Sequence, residues 1–246
     1  MDYRALNTVA EFDEALNLEM AVWGLDPRDA VPTSLLHAIQ HGGGLVMGAY
    51  DGQRLVGISL AFPARSSNRL ILWSHMTGID RVYQGRSVGY ELKQSQRQWA
   101  LANGFDEMRW TFDPLQRGNA NFNLRRLGAT LAPNYHVNFY GVMHDEINHA
   151  DVPSDRVEAI WNLRQPREPI DTPLDLPFLL ANRGEPVSTS LDEAQPAYLA
   201  QIPSHIPPDD LLAWRLALRE ALTMAFAHGY RAVDFTSANA YLLSRS

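Results

Sequence analysis

The sequence predicts a mixed α/β fold: a sheet of antiparallel and parallel strands flanked by helices, followed by a smaller C-terminal β-α-β extension packed on it. Three observations predict it. Leu45–Tyr50 and Leu55–Phe62 are apolar runs rich in strand formers, joined by the hairpin signal Asp51-Gly52. Leu70–Ile79 reads as another strand, and the glycine-bearing stretch Gln84–Gly89 leads from it into a helical pattern. Phe105–Phe112 then returns as a strand, so a hairpin meander runs into a β-α-β unit.

The elements before the hairpin are a short strand at Tyr3–Leu6 and two helices. Thr8-Val9-Ala10-Glu11 has the spacing of a capping box, and Val9, Phe12, Leu16 and Trp23 follow at roughly helical spacing. The second helix runs from about Thr33 to Gln40 and stops at Gly42-Gly43-Gly44. After the glycine-bearing loop, Val88, Leu92, Trp99 and Ala102 line one helical face that ends at Gly104. Asn119–Leu127 reads as a short helix closed by Gly128, and Asn134–Val142 as a strand.

Between Gln165 and Pro196 stand Pro166, Pro169, Pro173, Pro177 and Pro186, which predict a mostly irregular connection. Beyond it come a strand (Tyr198–Ile202), a helix opening near Pro207-Pro208-Asp209 and a strand (Ala232–Thr236). Leu211, Trp214, Leu218 and Leu222 share one face of that helix, which ends at Gly229. The expected division is residues 1–163 as the main domain and 164–246 as the extension. Ala100–Phe105 also lies onto Ala225–Tyr230 as a weak repeat, which leaves duplication open.

Composition narrows the function. With 28 acidic against 21 basic residues the net charge is −7, so no general affinity for nucleic acid is expected. The absence of cysteine excludes disulfides, thiolate nucleophiles and Cys-ligated zinc, and fits a reducing compartment. No apolar run approaches the ~20 residues of a membrane span, and Met1-Asp2-Tyr3-Arg4 lacks the features of a signal peptide, so a cytoplasmic location and no membrane partner are expected.

The stretch Ile79-Asp80-Arg81-Val82-Tyr83-Gln84-Gly85-Arg86-Ser87-Val88-Gly89 joins a strand to a helix. There the first free N–H groups of the helix converge and its dipole adds partial positive charge, which suits a pyrophosphate. Gly85, Ser87 and Gly89 give the backbone clearance, and Gln84 and Arg86 offer side-chain donors. The same residues also spell Gly-x-Ser-x-Gly, the nucleophile elbow of serine hydrolases, and His41-Gly42-Gly43-Gly44 resembles their oxyanion loop. Against a Ser87 nucleophile stand the hairpin at 45–62, the polar approach Asp80–Gln84, and the lack of a compelling acid–histidine pair among Asp113, His205 and His228. His37/His41 has i, i+4 spacing but no accompanying Glu, and His144/His149 lies in a polar loop; both pairs read as surface or turn histidines, so no metal is expected.

Gln84-x-x-Ser87-x-Gly89 resembles the phosphate motif of the GNAT superfamily, Gln/Arg-x-x-Gly-x-Gly/Ala, with Ser87 in place of the first glycine. Ser74–Ile79, Trp110–Leu115, Asn119-Ala120-x-Phe122-Asn123, Tyr135-x-x-Asn138-x-Tyr140-Gly141, Ser154-Asp155-Arg156 and Trp161-x-Leu163 follow in order and are similar to a mostly uncharacterised subfamily of predicted acyltransferases. The resemblance covers about residues 1–163. It implies a splayed sheet, with acetyl-CoA or another acyl-CoA as cosubstrate in the gap. By the same resemblance, Ile79 bonds the pantetheine arm through its backbone, and Gln84, Gly85, Arg86, Ser87, Val88 and Gly89 hold the pyrophosphate. Asn119, Phe122, Asn123 and Arg126 then lie along the cofactor, although Phe122 also reads as core and Arg126 as a solvated helix residue.

Direct acyl transfer to an amine needs a base, and His75 sits four residues before Ile79 on the splayed strand. Strand alternation places residues 75, 77 and 79 on one side, and an unperturbed histidine pKa near ~6.5 suits a base; a core histidine is the competing reading. The tyrosine acid of many family members corresponds to Leu124, which leaves Tyr140 and Asp113 as candidates, the latter also a turn cap before Pro114. The expected acceptor is a small-molecule amine or amino acid, with a protein amine second. The acyl group is acetyl or another short chain, a homodimer fits the class, and a non-catalytic CoA-binding protein is the non-enzymatic alternative.

Overall fold

The computed structural model describes residues 1–141, 143, 152–167, 170 and 175–245. They form two compact units: Met1–Trp110 with Asn162–Arg164, and the rest of the chain from Thr111 onward.

In the first unit the chain runs β1 (Asp2–Ala5), α1 (Val9–Trp23), α2 (Thr33–His41), β2 (Leu45–Asp51), β3 (Arg54–Ser66), β4 (Arg69–Ile79), α3 (Val88–Ala102) and into β5 (Glu107–Phe112). The strands lie in the order β1-β2-β3-β4-β5. β1 to β4 are antiparallel neighbours, and the α3 crossover brings β5 parallel to β4. Thr8 and Glu11 form the expected capping box at α1: Glu11 N–H donates to Thr8 Oγ1 and Thr8 N–H to Glu11 Oε2.

Helices cover both faces of this sheet. Phe12, Ala15 and Leu36 of α1 and α2 pack on Val46, Ile58 and Leu60. On the opposite face Val88 and Leu92 of α3 pack on Leu45, Met47 and Val56. A strand sandwiched in this way has no solvent side, which is why Leu45–Tyr50 is a continuous apolar run and is buried throughout.

The second unit holds α4 (Arg117–Ala120), a π-helical turn (Asn121–Arg126), β6 (Thr130–His136), β7 (Arg156–Asn162), β8 (Phe178–Asn182), β9 (Pro186–Ser188), β10 (Ala197–Gln201), α5 (Leu211–Ala227), β11 (Tyr230–Phe235) and β12 (Ala240–Arg245). β6 and β7 pair antiparallel, and a separate sheet has the order β11-β12-β10-β8-β9. Trp214, Leu218 and Leu222 of α5 are buried, as the helical spacing predicts, while Leu211 at its start is half-buried.

Several local expectations are corrected. The strand expected at Asn134–Val142 lies earlier, at Thr130–His136, because pairing with β7 sets its register and the chain turns at Asn138 and Gly141, both at positive φ; Val142 is outside the described residues. The proline-rich connection contains β8 and β9. Pro177 stands just before one strand and Pro186 opens the edge strand β9, where the missing N–H costs no ladder bond. β12 was not anticipated, and it lies between β10 and β11, pairing antiparallel with each. The β4-α3-β5 crossover joins adjacent strands whereas β10-α5-β11 spans an intervening one, so the two segments differ in topology despite the sequence likeness.

Candidate active site

The first unit concentrates its unusual backbone along the second half of β4. The parallel ladder to β5 has rungs at Leu72↔Met108 and Trp73↔Arg109 and none beyond. One residue later the register to β3 slips: Ala61 faces Ser74 and Leu60 faces Met76, leaving His75 as the extra residue of a β-bulge. The bulge corrects the expected alternation. Ser74 hydrogen-bonds Lys93 of α3, Thr77 is 3.4 Å from Ser59 on that face, and Ile79 packs with Val88 and Leu92. His75 instead pairs its ring with Phe62, centroids 6.3 Å apart, and Met76 joins the α1–α2 cluster. His75 is exposed, yet the desolvation imposed by its neighbours lowers its pKa below the ordinary histidine value, which favours the neutral ring. On the α1 side Trp23 lies so close to Gly78 that a Cβ there would meet the indole at 2.5 Å, so only glycine fits.

The loop after Ile79 is held from both ends. Asp80 N–H bonds Val56 O, and the Asp80 carboxylate receives Val82 N–H at 2.9 Å and Arg54 Nη2 at 2.7 Å. A single 3-10 turn, Arg81–Tyr83, follows, with Tyr83 OH bonded to Asp51 at 2.8 Å. Gly85 at φ 75° and Ser87 at φ 62° then swing the chain into α3. Serine rarely adopts that conformation, so this residue is set by the loop and not by its own preference. Ser87 is the N-cap of α3 but makes no side-chain cap bond, so the first-turn amides are open to a ligand. Gln84 Nε2 donates to Ile79 O at 3.1 Å, and the Arg86 guanidinium stands 5.5 Å from the Tyr83 ring centre with no ion pair among the described residues. A Cβ on Gly89 would sit 3.5 Å from Ile79 Cγ1, ordinary contact. No histidine bonds Ser87 among the described residues, and β2–β3 is an antiparallel hairpin, so a nucleophile elbow lacks both its base and its parallel scaffold.

Beneath this strand lies a polar cluster that the periodicity reading passed over. Lys93 Nζ is 2.7 Å from Ser74 Oγ and 3.0 Å from Gln96 Oε1, 3.7 Å from Met108 Sδ and 4.3 Å from the centre of the Trp110 ring. Gln96 Nε2 donates to Ser59 Oγ at 2.6 Å. Complete burial pushes the Lys93 amine down to about 7. A second buried ionisable group, Glu19 on α1, accepts the Val31 N–H at 3.2 and 3.3 Å, and burial pushes it up to about 7. The signal was present for Lys93: with Gln96 and Ala100 it makes a stripe at i, i+3, i+7 beside the apolar face of α3.

The other candidates lie in the second unit. Asp113 is buried, accepts Arg215 Nη1 at 2.5 Å and Nη2 at 2.6 Å, and caps Leu115 N–H at 2.8 Å. Close by, Asp155 takes two hydrogen bonds from Arg219 and one from Tyr135 OH, whose pKa is raised by burial and then by that carboxylate. Tyr140 is partly exposed, with its hydroxyl 3.2 Å from Thr111 Oγ1 and its ring edge-on to Phe139 at 4.7 Å. Asn119 is exposed, Phe122 lies under the Arg126 guanidinium at 5.9 Å, and Asn123 is buried within the π-helical turn. Of the histidine pairs, His37 packs edge-on against Phe12 at 5.6 Å, and His144 and His149 lie outside the described residues. No helix among the described residues is long and apolar enough to cross a membrane.

Solved structures share this fold, among them an acetyltransferase of the GNAT family from Streptococcus pneumoniae. The ribosomal-protein-S18-alanine N-acetyltransferase from Escherichia coli matches with a TM-score of 0.53 at 12% identity, covering 70% of this chain and 99% of its own. Aminoglycoside 6'-acetyltransferase type Ii gives 0.53 at 15%, covering 68% and 100%. A chain of the NatC complex bound to Gag peptide and CoA gives 0.51 at 12%, covering 65% and 97%. No protein-family model matches the chain, and no curated protein sequence matches it.

Proposed function

We propose that this chain is an N-acyltransferase that moves acetyl or another short acyl group from acyl-CoA directly to a primary amine of a small molecule or amino acid. The observation that carries the reading is the junction of β4 and α3. Gly85 and Ser87, both at positive φ, turn the chain so that uncapped first-turn amides open beside a strand whose ladder to β5 has already ended. The amides and the helix dipole receive the pyrophosphate, with Arg86 adding charge. The strand edge from Ser74 to Ile79, free of β5 rungs, takes the extended pantetheine arm as an added strand would. The fold likeness to acetyltransferases, one of them solved with CoA, supports the same cosubstrate.

His75 is the proton acceptor in this scheme. The bulge lifts it out of the regular ladder, and its lowered pKa keeps it neutral, able to take a proton from the acceptor's ammonium group so that the neutral amine attacks the thioester carbonyl and forms the C–N bond. The thioester C–S bond then breaks, and the thiolate takes up a proton and leaves as free CoA. Asp113, saturated by Arg215, serves the framework in this reading.

A thermal-shift titration with CoA and acetyl-CoA, followed by free-thiol release with a panel of amines, tests the proposal. A shift with CoA and amine-dependent thiol release that falls sharply in His75→Ala is the expected result. The absence of any CoA shift overturns it, and a shift without turnover on any amine favours a CoA-binding protein.

A further inference from the structure

Among the buried ionisable groups of the first unit that have no role in this chemistry, Lys93 stands where the strands part. Lys93 projects from α3 into the wedge where β4 and β5 separate. Its amine contacts Ser74, the residue after the last β5 rung and the one where the bulge begins, together with Met108 Sδ and the face of Trp110 on β5. It also shares Gln96 Oε1 with Ser74, and Gln96 continues to Ser59 on β3. One side chain on the helix that opens at the proposed phosphate loop thus ties together β3, β4 and β5 where their spacing changes. Burying an amine without a carboxylate partner is costly, and an apolar residue of the same length fills such a position at lower cost.

Resting on the acyltransferase reading, we propose that Lys93 is a positioning residue for acyl transfer: its amine pins Ser74 and props β4 away from β5, and so fixes the bulge that presents His75. The amine touches neither cosubstrate nor acceptor in this scheme; it acts through Ser74. Two consequences separate it from simple packing. Removing the amine should free the second half of β4 while leaving the fold as stable as before or more so. Removing Ser74 Oγ, the other end of the same contact, should have the same effect, with no further loss when both are changed.

The test uses Lys93→Met, Ser74→Ala and the double variant, with hydrogen exchange and kinetics read in parallel. Expected are faster amide exchange in β4 around residues 74–79 with β2 unchanged, a fall in kcat of about 10-fold or more, and a KM for acyl-CoA within a few-fold of wild type. Lys93→Gln, which restores a hydrogen bond to Ser74 without the charge, should recover part of the rate. Unchanged exchange in β4 of both single variants overturns the proposal whatever the activity. So does a kcat within twofold of wild type. If Lys93→Met fails to fold, Ser74→Ala and Lys93→Gln give the same reading. A wild-type protein that shows no CoA shift defeats the function but leaves the exchange result to judge Lys93.

Discussion

Replacing Lys93 by methionine also measures what a buried amine costs this fold. The folded chain holds the amine at about 7 against 10.5 for an ordinary lysine, because burial disfavours the charge. Between those two values the unfolded chain keeps a proton that the folded chain has released, so stability rises with pH through that window. The penalty is fully present below about 7 and fades toward 10.5. Each pH unit in the window is worth about 1.4 kcal/mol, so wild type should gain roughly 3 kcal/mol between pH 6 and 9 from this group. Methionine fills the stem volume, and Ser74 keeps Gln96 Oε1 as a partner at 3.2 Å. Lys93→Met should therefore be more stable at pH 6, by about 1–4 kcal/mol, with the advantage shrinking toward pH 9. Urea unfolding of both proteins at the two pH values checks it, and taking the difference cancels Glu19, which titrates in both. An advantage that does not change with pH would refute the reasoning, because the buried charge would then not be the cause.

Glu19→Gln keeps an acceptor for Val31 N–H and removes the charge. Since burial raises this carboxyl to about 7, its penalty is absent below about 4.5 and grows until about 7, so the variant should gain stability at pH 8 and little at pH 4 in thermal unfolding. Gly89→Glu should abolish CoA binding in calorimetry while the unfolding midpoint stays near wild type, because a Cβ at that position has room beside Ile79; unchanged CoA affinity would show that the phosphate site lies elsewhere. Asp113→Ala leaves the Arg215 guanidinium buried without its hydrogen-bonded carboxylate, which should cost about 3–5 kcal/mol in denaturant unfolding. Loss of activity without loss of stability would instead return Asp113 to the chemistry. Thr8→Ala should cost about 1 kcal/mol by removing the side-chain half of the capping box at α1.

What the sequence determined by itself is local or periodic. The hairpin at Asp51-Gly52, the capping box at Thr8 and the glycine-bearing turn at Gln84–Gly89 each carry their cause within a few residues and formed as expected, whereas the α3 stripe held at Val88 and Leu92 but left Trp99 half-buried and Ala102 exposed. The proline-rich stretch misled because a proline is harmless at the start of an edge strand, and edge position belongs to the sheet, not to the segment. β12 was legible as a short apolar run, Ala240–Leu243, but not its place between β10 and β11.

Only the tertiary structure decided the site's finer features. Strict alternation would put His75 with Thr77 and Ile79; the bulge against Leu60 and Ala61 undoes that, because a strand's register depends on its neighbour. Asp113 and Arg215 are far apart in the chain, and nothing near Asp113 announces the guanidinium that claims it. Lys93 sits on the helix as an unremarkable polar residue until the packing of β4 and β5 closes over it and takes away its water. Chemistry written in nearest neighbours could be read from the sequence, and chemistry made by burial had to wait for the fold.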